Sequence, residues 1–270
     1  MTRILVFDSG LGGLSVVPEI RLSLPGVALT YAADAAFFPY GDRDPLFLRS
    51  HLVRTLGHLI ETERPDVVVI ACNTASTLAL DTLRDTFSEM AFVGTVPALK
   101  PAAQGSRSGV IGLLATPGTI TSPYIDALKQ KVAPDCILVR HGTARLAAMA
   151  EAWLRGDMVK DTDIAEEAAP LFQHPDLDTV VLGCTHYPLL RHILEDTAPR
   201  PVIWLDSGAA IARQTARLAG PVSPGGPDRA LVSRLSAGYE KAMTHYSFPA
   251  PIVWDINKHP AVQDLASNHP

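Results

Sequence analysis

Val67-Val-Val-Ile-Ala-Cys72-Asn-Thr74 frames the reading of the whole chain, because its wording returns as Thr179-Val-Val-Leu-Gly-Cys184-Thr-His186. In each copy a short apolar, β-branched run stops at a cysteine followed by small polar residues. Such a run suits one buried strand and is too short for a helix. Phe7-Asp-Ser-Gly10 and Leu205-Asp-Ser-Gly208 repeat one another in the same way. A degenerate internal duplication explains both pairs. Further apolar runs cover residues 4–7, 27–31, 109–114, 137–139 and 202–205, with amphipathic stretches between them. Strands alternating with helices predict an α/β architecture with mainly parallel sheets.

The chain has 270 residues, 47% hydrophobic and 19% charged, so it can bury a sizeable core. Residues 97–101, bracketed by Pro97 and Pro101, and the turn Asp206-Ser-Gly208 read as crossings between two lobes. The expected first lobe is 1–96 plus 208–270, and the second is 97–207. Ser223-Pro-Gly-Gly-Pro-Asp228 reads as a surface loop, and the Pro-rich stretch after Ser247 carries no structural expectation. The net charge of −5 and the lack of a basic block argue against a nucleic-acid partner. Asp8 interrupts the first apolar stretch too early for a signal-peptide core, and no run approaches the ~18 apolar residues of a membrane span. A cytoplasmic protein with no membrane partner is expected. Cys72, Cys136 and Cys184 cannot all pair, and none lies in C-x-x-C, so they should be reduced thiols.

Parallel sheets bind ligands beyond the carboxyl ends of their strands, which directs attention to the polar residues closing each run. Asp8-Ser-Gly-Leu-Gly-Gly13 partly matches a dinucleotide turn, but Ser15 stands where the third glycine belongs. The bland reading is a turn capped by Ser9. The functional reading is a backbone that approaches an anionic ligand and holds its carboxylate on the N–H groups opening the next helix. No P-loop is present, and the nearest Schiff-base lysine, Lys100, sits before Pro101 in an unremarkable segment. No cofactor is therefore expected.

Either Cys72 or Cys184 alone reads as an inert buried thiol. As a pair in duplicated contexts they read differently. A thiol with a pKa near ~8.5 can act as base when ionised and as acid when protonated. Two facing thiols can take a proton from one side of a carbon and supply one to the other. Cys136 has neither feature and reads as structural. His186 would be an ordinary hydrogen-bonded histidine but for its place beside Cys184, where an imidazole can stabilise a thiolate. Asp8 is its counterpart in the other half, directed at Cys72 or a substrate ammonium. Pro39-Tyr40-Gly41-Asp42-Arg43 reads as a turn with an ion pair. Thr116, Thr119 and Ser122 divide evenly between helix caps and donors to a carboxylate.

Four stretches resemble the glutamate racemases of the aspartate/glutamate racemase family: Phe7-Asp-Ser-Gly-Leu-Gly-Gly-Leu-Ser15, Pro39-Tyr-Gly-Asp-Arg43, Ile70-Ala-Cys-Asn-Thr-Ala-Ser76 and Leu182-Gly-Cys-Thr-His-Tyr-Pro188. Their order and spacing match from about residue 3 to about residue 245. The resemblance implies two pseudo-symmetric α/β lobes with the substrate in the cleft between them, no cofactor and no metal. It implies racemisation of L-glutamate to D-glutamate for peptidoglycan synthesis, with Cys72 and Cys184 as acid and base. Asp8 and His186 would assist, and Glu151, in Met149-Ala-Glu-Ala-Trp153, would be a further acidic group at the site. Substrate contacts would come from Asp8, Ser9, Tyr40, Gly41, Asn73, Thr74, Thr116, Thr119, Thr185 and His186. The chain departs from the family pattern at His141-Gly-Thr143 and after Ser247. Runner-up readings are a racemase of aspartate or another acidic amino acid and a non-catalytic two-lobed amino-acid-binding protein. A homodimer is left open.

Overall fold

Strands that are apolar on both faces need cover on both faces, and this chain supplies it with helices. The computed structural model describes residues 1–223 and 225–254. It begins β1 (Arg3–Asp8), α1 (Val17–Ser23), β2 (Ala28–Ala33), α2 (Pro45–Glu63), β3 (Val67–Ile70), α3 (Asn73–Thr86) and β4 (Ala91–Gly94). It continues α4 (Leu99–Gly105), β5 (Val110–Ala115), α5 (Pro117–Ile120), α6 (Pro123–Val132), β6 (Ile137–Gly142), α7 (Arg145–Arg155) and α8 (Asp161–Ala168). β7 (Thr179–Leu182), α9 (Arg191–Thr197), β8 (Ile203–Leu205), α10 (Gly208–Ala219), β9 (Arg229–Val232), α11 (Tyr239–His245) and β10 (Ile252–Val253) follow.

The strands form one sheet in the order β10-β9-β2-β1-β3-β4 and another in the order β6-β5-β7-β8. Every pairing among the described residues is parallel, as the alternation with helices predicts. β3 and β7, the strands that end at the repeated cysteine motif, are buried along their whole length. α2 shows how its sequence makes a helix. Pro45 occupies the first turn, the Asp44 side chain accepts from Phe47 N, and Arg64 ends the helix in the left-handed region. Its buried stripe runs Leu48, Leu52, Leu56 and Leu59 at helical spacing, with His51 and Thr55 as polar interruptions.

β4, β9 and β10 were not anticipated. β4 and β10 are sheet edges, and β9 opens on Arg229 with only three apolar residues after it, so none carries a long apolar run. β6 extends past Val139 through Arg140 and His141 because it is an edge strand with half-buried or exposed residues throughout. The crossings at 97–101 and Asp206–Gly208 lie together, since Ser207 Oγ donates to the Val96 carbonyl at 2.6 Å. Around 223–228 the backbone is anchored by Ser223 and Gly225 to Thr2 and Gly26. Pro224 of that loop and residues 255–270, counted with the first lobe, lie outside the described residues. Among the described residues no helix is long and apolar enough to cross a membrane.

Candidate active site

The carboxyl ends of the two sheets meet through side-chain hydrogen bonds. Thr185 Oγ1, after β7, donates to Asp8 Oδ2, at the end of β1, at 3.0 Å. Ser15 Oγ donates to the Thr185 carbonyl at 2.8 Å. The Thr74 and Thr116 hydroxyls lie 3.3 Å apart, and Thr116 is 3.0 Å from Thr119. Asp8, Ser9, Cys72, Asn73, Thr74, Thr116, Thr119, Glu151, Cys184, Thr185 and His186 thus belong to one linked region.

Cys72 occupies the cap position where β3 turns into α3, and it is 6% exposed. Its Sγ donates to Ser9 Oγ at 3.7 Å. Burial, followed by the charge of Asp8, pushes the thiol up to about 12. The Ala75 N–H and the Ser9 hydroxyl favour the thiolate but do not outweigh burial, and charge on Cys184 adds to the rise. Cys72 is therefore a thiol at neutral pH, and the two sulfurs sense each other's charge.

Cys184 is equally buried, at 7% exposed, but differently served. His186 Nδ1 lies 3.7 Å from its Sγ, while His186 Nε2 lies 2.9 Å from Glu151 Oε1. Glu151 Oε2 accepts from Tyr239 Oη at 3.2 Å, and Oε1 also accepts from the Leu11 backbone N–H. Burial works against an imidazolium here, yet the bonds to Cys184 and Glu151 raise His186 well above the ordinary histidine range. A carboxylate that orients a histidine on a sulfur is an arrangement for holding a thiolate.

Some expectations need correcting. Asp8 does not touch Cys72 directly. Its oxygens take the Gly10 N–H at 2.8 Å and the Thr185 hydroxyl, and Ser9 stands against the sulfur instead. Burial raises the Asp8 carboxyl, and the charge of His186 opposes that rise. One N–H of the glycine-rich turn, that of Leu11, donates to the chain's own Glu151. Close backbone approach is needed for the same reason. A Cβ on Gly12 would stand 2.5 Å from His186 Cε1, and one on Gly10 would overlap Glu151 Oε1. Ser9 caps nothing, since the residues after it form a 3-10 turn, Gly12–Ser15, with no side-chain cap. Asp42 and Arg43 form no ion pair; Arg43 Nε donates to the Phe37 carbonyl at 3.0 Å. Ser122 caps α6 with its side chain, whereas Thr116 sits at the cap position of α5 without a side-chain cap bond and Thr119 lies within that helix. Tyr40 and Gly41 form a 3-10 turn, and the Tyr40 hydroxyl donates to Asp34. Cys136 lies at the margin of a core cluster.

Asn73 Nδ2 is buried without a hydrogen-bond partner. An unpaired buried donor costs about 1–3 kcal/mol, so it calls for an acceptor such as a carboxylate. Sequence reasoning missed Tyr239 and the pairing of Asp34 with His51, although Asp34 stands out in the sequence as the polar residue closing its apolar run, and His51 lies as a polar residue on the buried stripe of α2.

A family model described as Asp/Glu/Hydantoin racemase matches residues 27–215. The chain is 47% identical over 221 residues to a glutamate racemase of Brucella anthropi, covering 81% of this chain and 80% of that one. It is 50% identical over 217 residues to a glutamate racemase of Granulibacter bethesdensis, covering 80% and 78%.

This chain belongs to the Asp/Glu/hydantoin racemase family.

Its fold follows that of an Escherichia coli glutamate racemase crystallised with L-glutamate and the activator UDP-MurNAc-ala. The TM-score is 0.87 and the identity 38%, over 93% of this chain and 97% of that one. Within this racemase-family chain, the departure at His141-Gly-Thr143 leaves Glu151 on the buried face of α7, beside His186. Thr143 itself joins the surroundings of the site, because its carbonyl accepts from Tyr187 Oη at 2.6 Å.

Proposed function

We propose that this chain interconverts L- and D-glutamate without a cofactor, by proton transfer at Cys72 and Cys184, and that it supplies D-glutamate for peptidoglycan. The observation carrying this reading is that two buried free thiols close corresponding strands of two sheets, each backed by its own hydrogen-bonding partners. The curated glutamate racemases in the comparison support glutamate as the substrate.

On this reading Cys184 takes the α-proton of L-glutamate, because His186, held by Glu151, supplies the positive partner a thiolate needs. Cys72, a protonated thiol, delivers a proton to the opposite face. The reverse reaction needs Cys72 as thiolate. A substrate ammonium beside Asp8 offsets the negative charge that helps keep this thiol high, so substrate binding itself lowers the barrier to ionising Cys72. Asn73 donates its free amide to a substrate carboxylate. Ser9, Thr74, Thr116, Thr119 and Thr185 contribute hydroxyls, and Tyr40 and Gly41 contribute the wall between them. Sheet membership supports lobes of 1–96 plus 208–270 and 97–207. The same reading puts the enzyme in the cytoplasm, where its thiols stay reduced. It leaves a homodimer to be settled by light scattering.

The test uses purified, dialysed protein with each enantiomer of glutamate and of aspartate. A cysteine thiol carries one exchangeable proton, so in deuterated water D-glutamate formed from L-glutamate should carry α-deuterium from its first appearance. The remaining L-glutamate should stay protiated at low conversion. Cys72→Ala and Cys184→Ala should each abolish racemisation. Protium retained in early product, or near-normal racemisation by either variant, overturns the two-thiol reading; comparable kcat/KM for aspartate overturns the substrate.

A further inference from the structure

Behind Tyr40 lies a buried polar cluster that the proton-transfer scheme does not use. Asp34, at the carboxyl end of β2, places Oδ2 2.7 Å from Tyr40 Oη and 2.6 Å from His51 Nε2. Both members of the Asp34–His51 pair are buried. Thr55 Oγ1 lies 3.3 Å from the same His51 nitrogen. The imidazole packs against Phe37, at 4.1 Å between ring centroids, and against Phe47, stacked at 5.8 Å, and the two phenylalanine rings also touch each other at 5.7 Å. Asp34 is itself tied to the catalytic end of the first sheet, since its N–H donates to the Asp8 carbonyl at 2.9 Å.

Burying a carboxylate and an imidazole in contact gives little net stability, and an apolar replacement often does as well. Such clusters are better suited to fixing one geometry. The geometry fixed here is that of the Tyr40–Asp42 turn. Its next residue, Gly41, faces the other lobe: a Cβ at Gly41 would stand 3.5 Å from Thr116 Cβ. Gly41, Thr74 and Thr119 line a cavity of about 120 Å³ with Tyr40 and Ser122.

We infer that Asp34 and His51 are positioning residues, holding Tyr40 so that the Tyr40–Gly41 backbone forms a substrate-contacting wall against Thr74, Thr116 and Thr119. The inference rests on the glutamate racemase reading. Turnover by the unaltered protein tests that reading alone, and only the variants below test this one.

Tyr40→Phe removes one hydroxyl and keeps the buried ring; His51→Gln and Asp34→Asn remove the other members. KM for both glutamate enantiomers should rise about three- to tenfold in Tyr40→Phe and His51→Gln, as expected for loss of one typical hydrogen bond, and further in Asp34→Asn. The α-deuterium isotope effects should not change, because the atoms at Cys72 and Cys184 are untouched, and kcat should stay within about twofold. Tyr40→Phe combined with His51→Gln should be no worse than the poorer single variant plus a small increment, since both act through one carboxylate. A structural role alone would lower the melting temperature without separating KM from kcat. Should Asp34→Asn fail to fold, the other variants decide the matter. A fall in kcat at constant KM, unchanged kinetics in folded variants, or full additivity would each overturn the assignment.

Discussion

Gly12→Ala puts a single methyl group where the two halves of the site touch. The backbone accepts alanine, because Gly12 is not among the glycines in the left-handed region. The side chain is not accepted. Its Cβ would stand 2.5 Å from His186 Cε1 and 2.7 Å from Cγ, against about 3.5–4.0 Å for carbon atoms in contact. The ring must move by about 1 Å, and displacements of that size at a reacting group cost about 100-fold in rate. A second route gives a similar figure. Losing a hydrogen bond to a charged group costs about 1.5–3 kcal/mol, which is roughly 10- to 150-fold. Gly12→Ala should therefore lower kcat by about 10- to 100-fold while the protein stays folded, since the bond lost belongs to one edge of the site. Enantiomers have equal free energy, so kcat/KM must fall equally in both directions. The asymmetry emerges elsewhere. On the proposed assignment Cys184 abstracts from L-glutamate, so the primary isotope effect with α-deuterated L-glutamate should grow more than that with the D enantiomer. A coupled assay and deuterated substrates suffice. Near-normal kcat, or equal growth of both isotope effects, would refute the idea that this turn holds His186 in place.

Tyr239→Phe deletes the hydroxyl bonded to Glu151 Oε2; taken at the value of a typical hydrogen bond, since the carboxylate keeps its other two partners, this supports a fall in kcat of about 3- to 12-fold with little change in KM, and an unchanged kcat would show that Leu11 and His186 alone fix the carboxylate. Asp178, before β7, accepts from Ser106 Oγ, Thr179 Oγ1 and the N–H groups of Arg107 and Ser108. Although partial burial works to raise it, these bonds hold its carboxyl down at about 2. A depressed acid contributes stability that is present above its unfolded value near ~3.9 and is lost as pH falls through the folded one. The shift corresponds to a ceiling near ~2.5 kcal/mol, and partial solvent exposure brings that to about 1 kcal/mol. Asp178→Asn should thus cost about 1 kcal/mol at pH ~7, with about half of the ionisation part gone by pH ~3, as read by urea unfolding. A stability gap that does not narrow on acidification would contradict this.

The parts of the site that were legible in the sequence are those carried by local wording. Val67–Thr74 and Thr179–His186 each contain a strand, its end and its chemistry within eight residues, so the repeated motif exposed both thiols and His186. What the sequence hid depends on distant partners. The carboxylate that meets the Leu11 N–H belongs to Glu151, 140 residues away in the chain. No local pattern could bring it there. Tyr239 is 88 residues from Glu151 and sits on a short helix with no catalytic wording. The unanticipated strands β4, β9 and β10 are short, and two of them are edges, where burial of one face or neither relaxes the demand for long apolar runs.

The duplication also explains why the two thiols are not equivalent. After Cys72 the chain enters α3 at once, so the sulfur sits at a helix start with a neutral hydroxyl and the Ala75 N–H for company. After Cys184 the chain instead makes a 3-10 turn, Tyr187–Leu190, opened by Pro188, and His186 just before it reaches back to the sulfur. One half keeps a thiol and the other keeps the partner of a thiolate. That difference cannot bias the equilibrium between enantiomers, which no catalyst can shift. It can only set which proton inventory the free enzyme holds. On the proposed reading the resting protein already carries the acid that L-glutamate requires, the Cys72 thiol, and beside Cys184 the imidazole that serves its base. For D-glutamate the proton must first leave Cys72, against burial and the charge of Asp8. The cost of that step falls on kcat and KM individually and cancels in their ratio, so the two halves can diverge in sequence without violating the thermodynamics of the reaction they share.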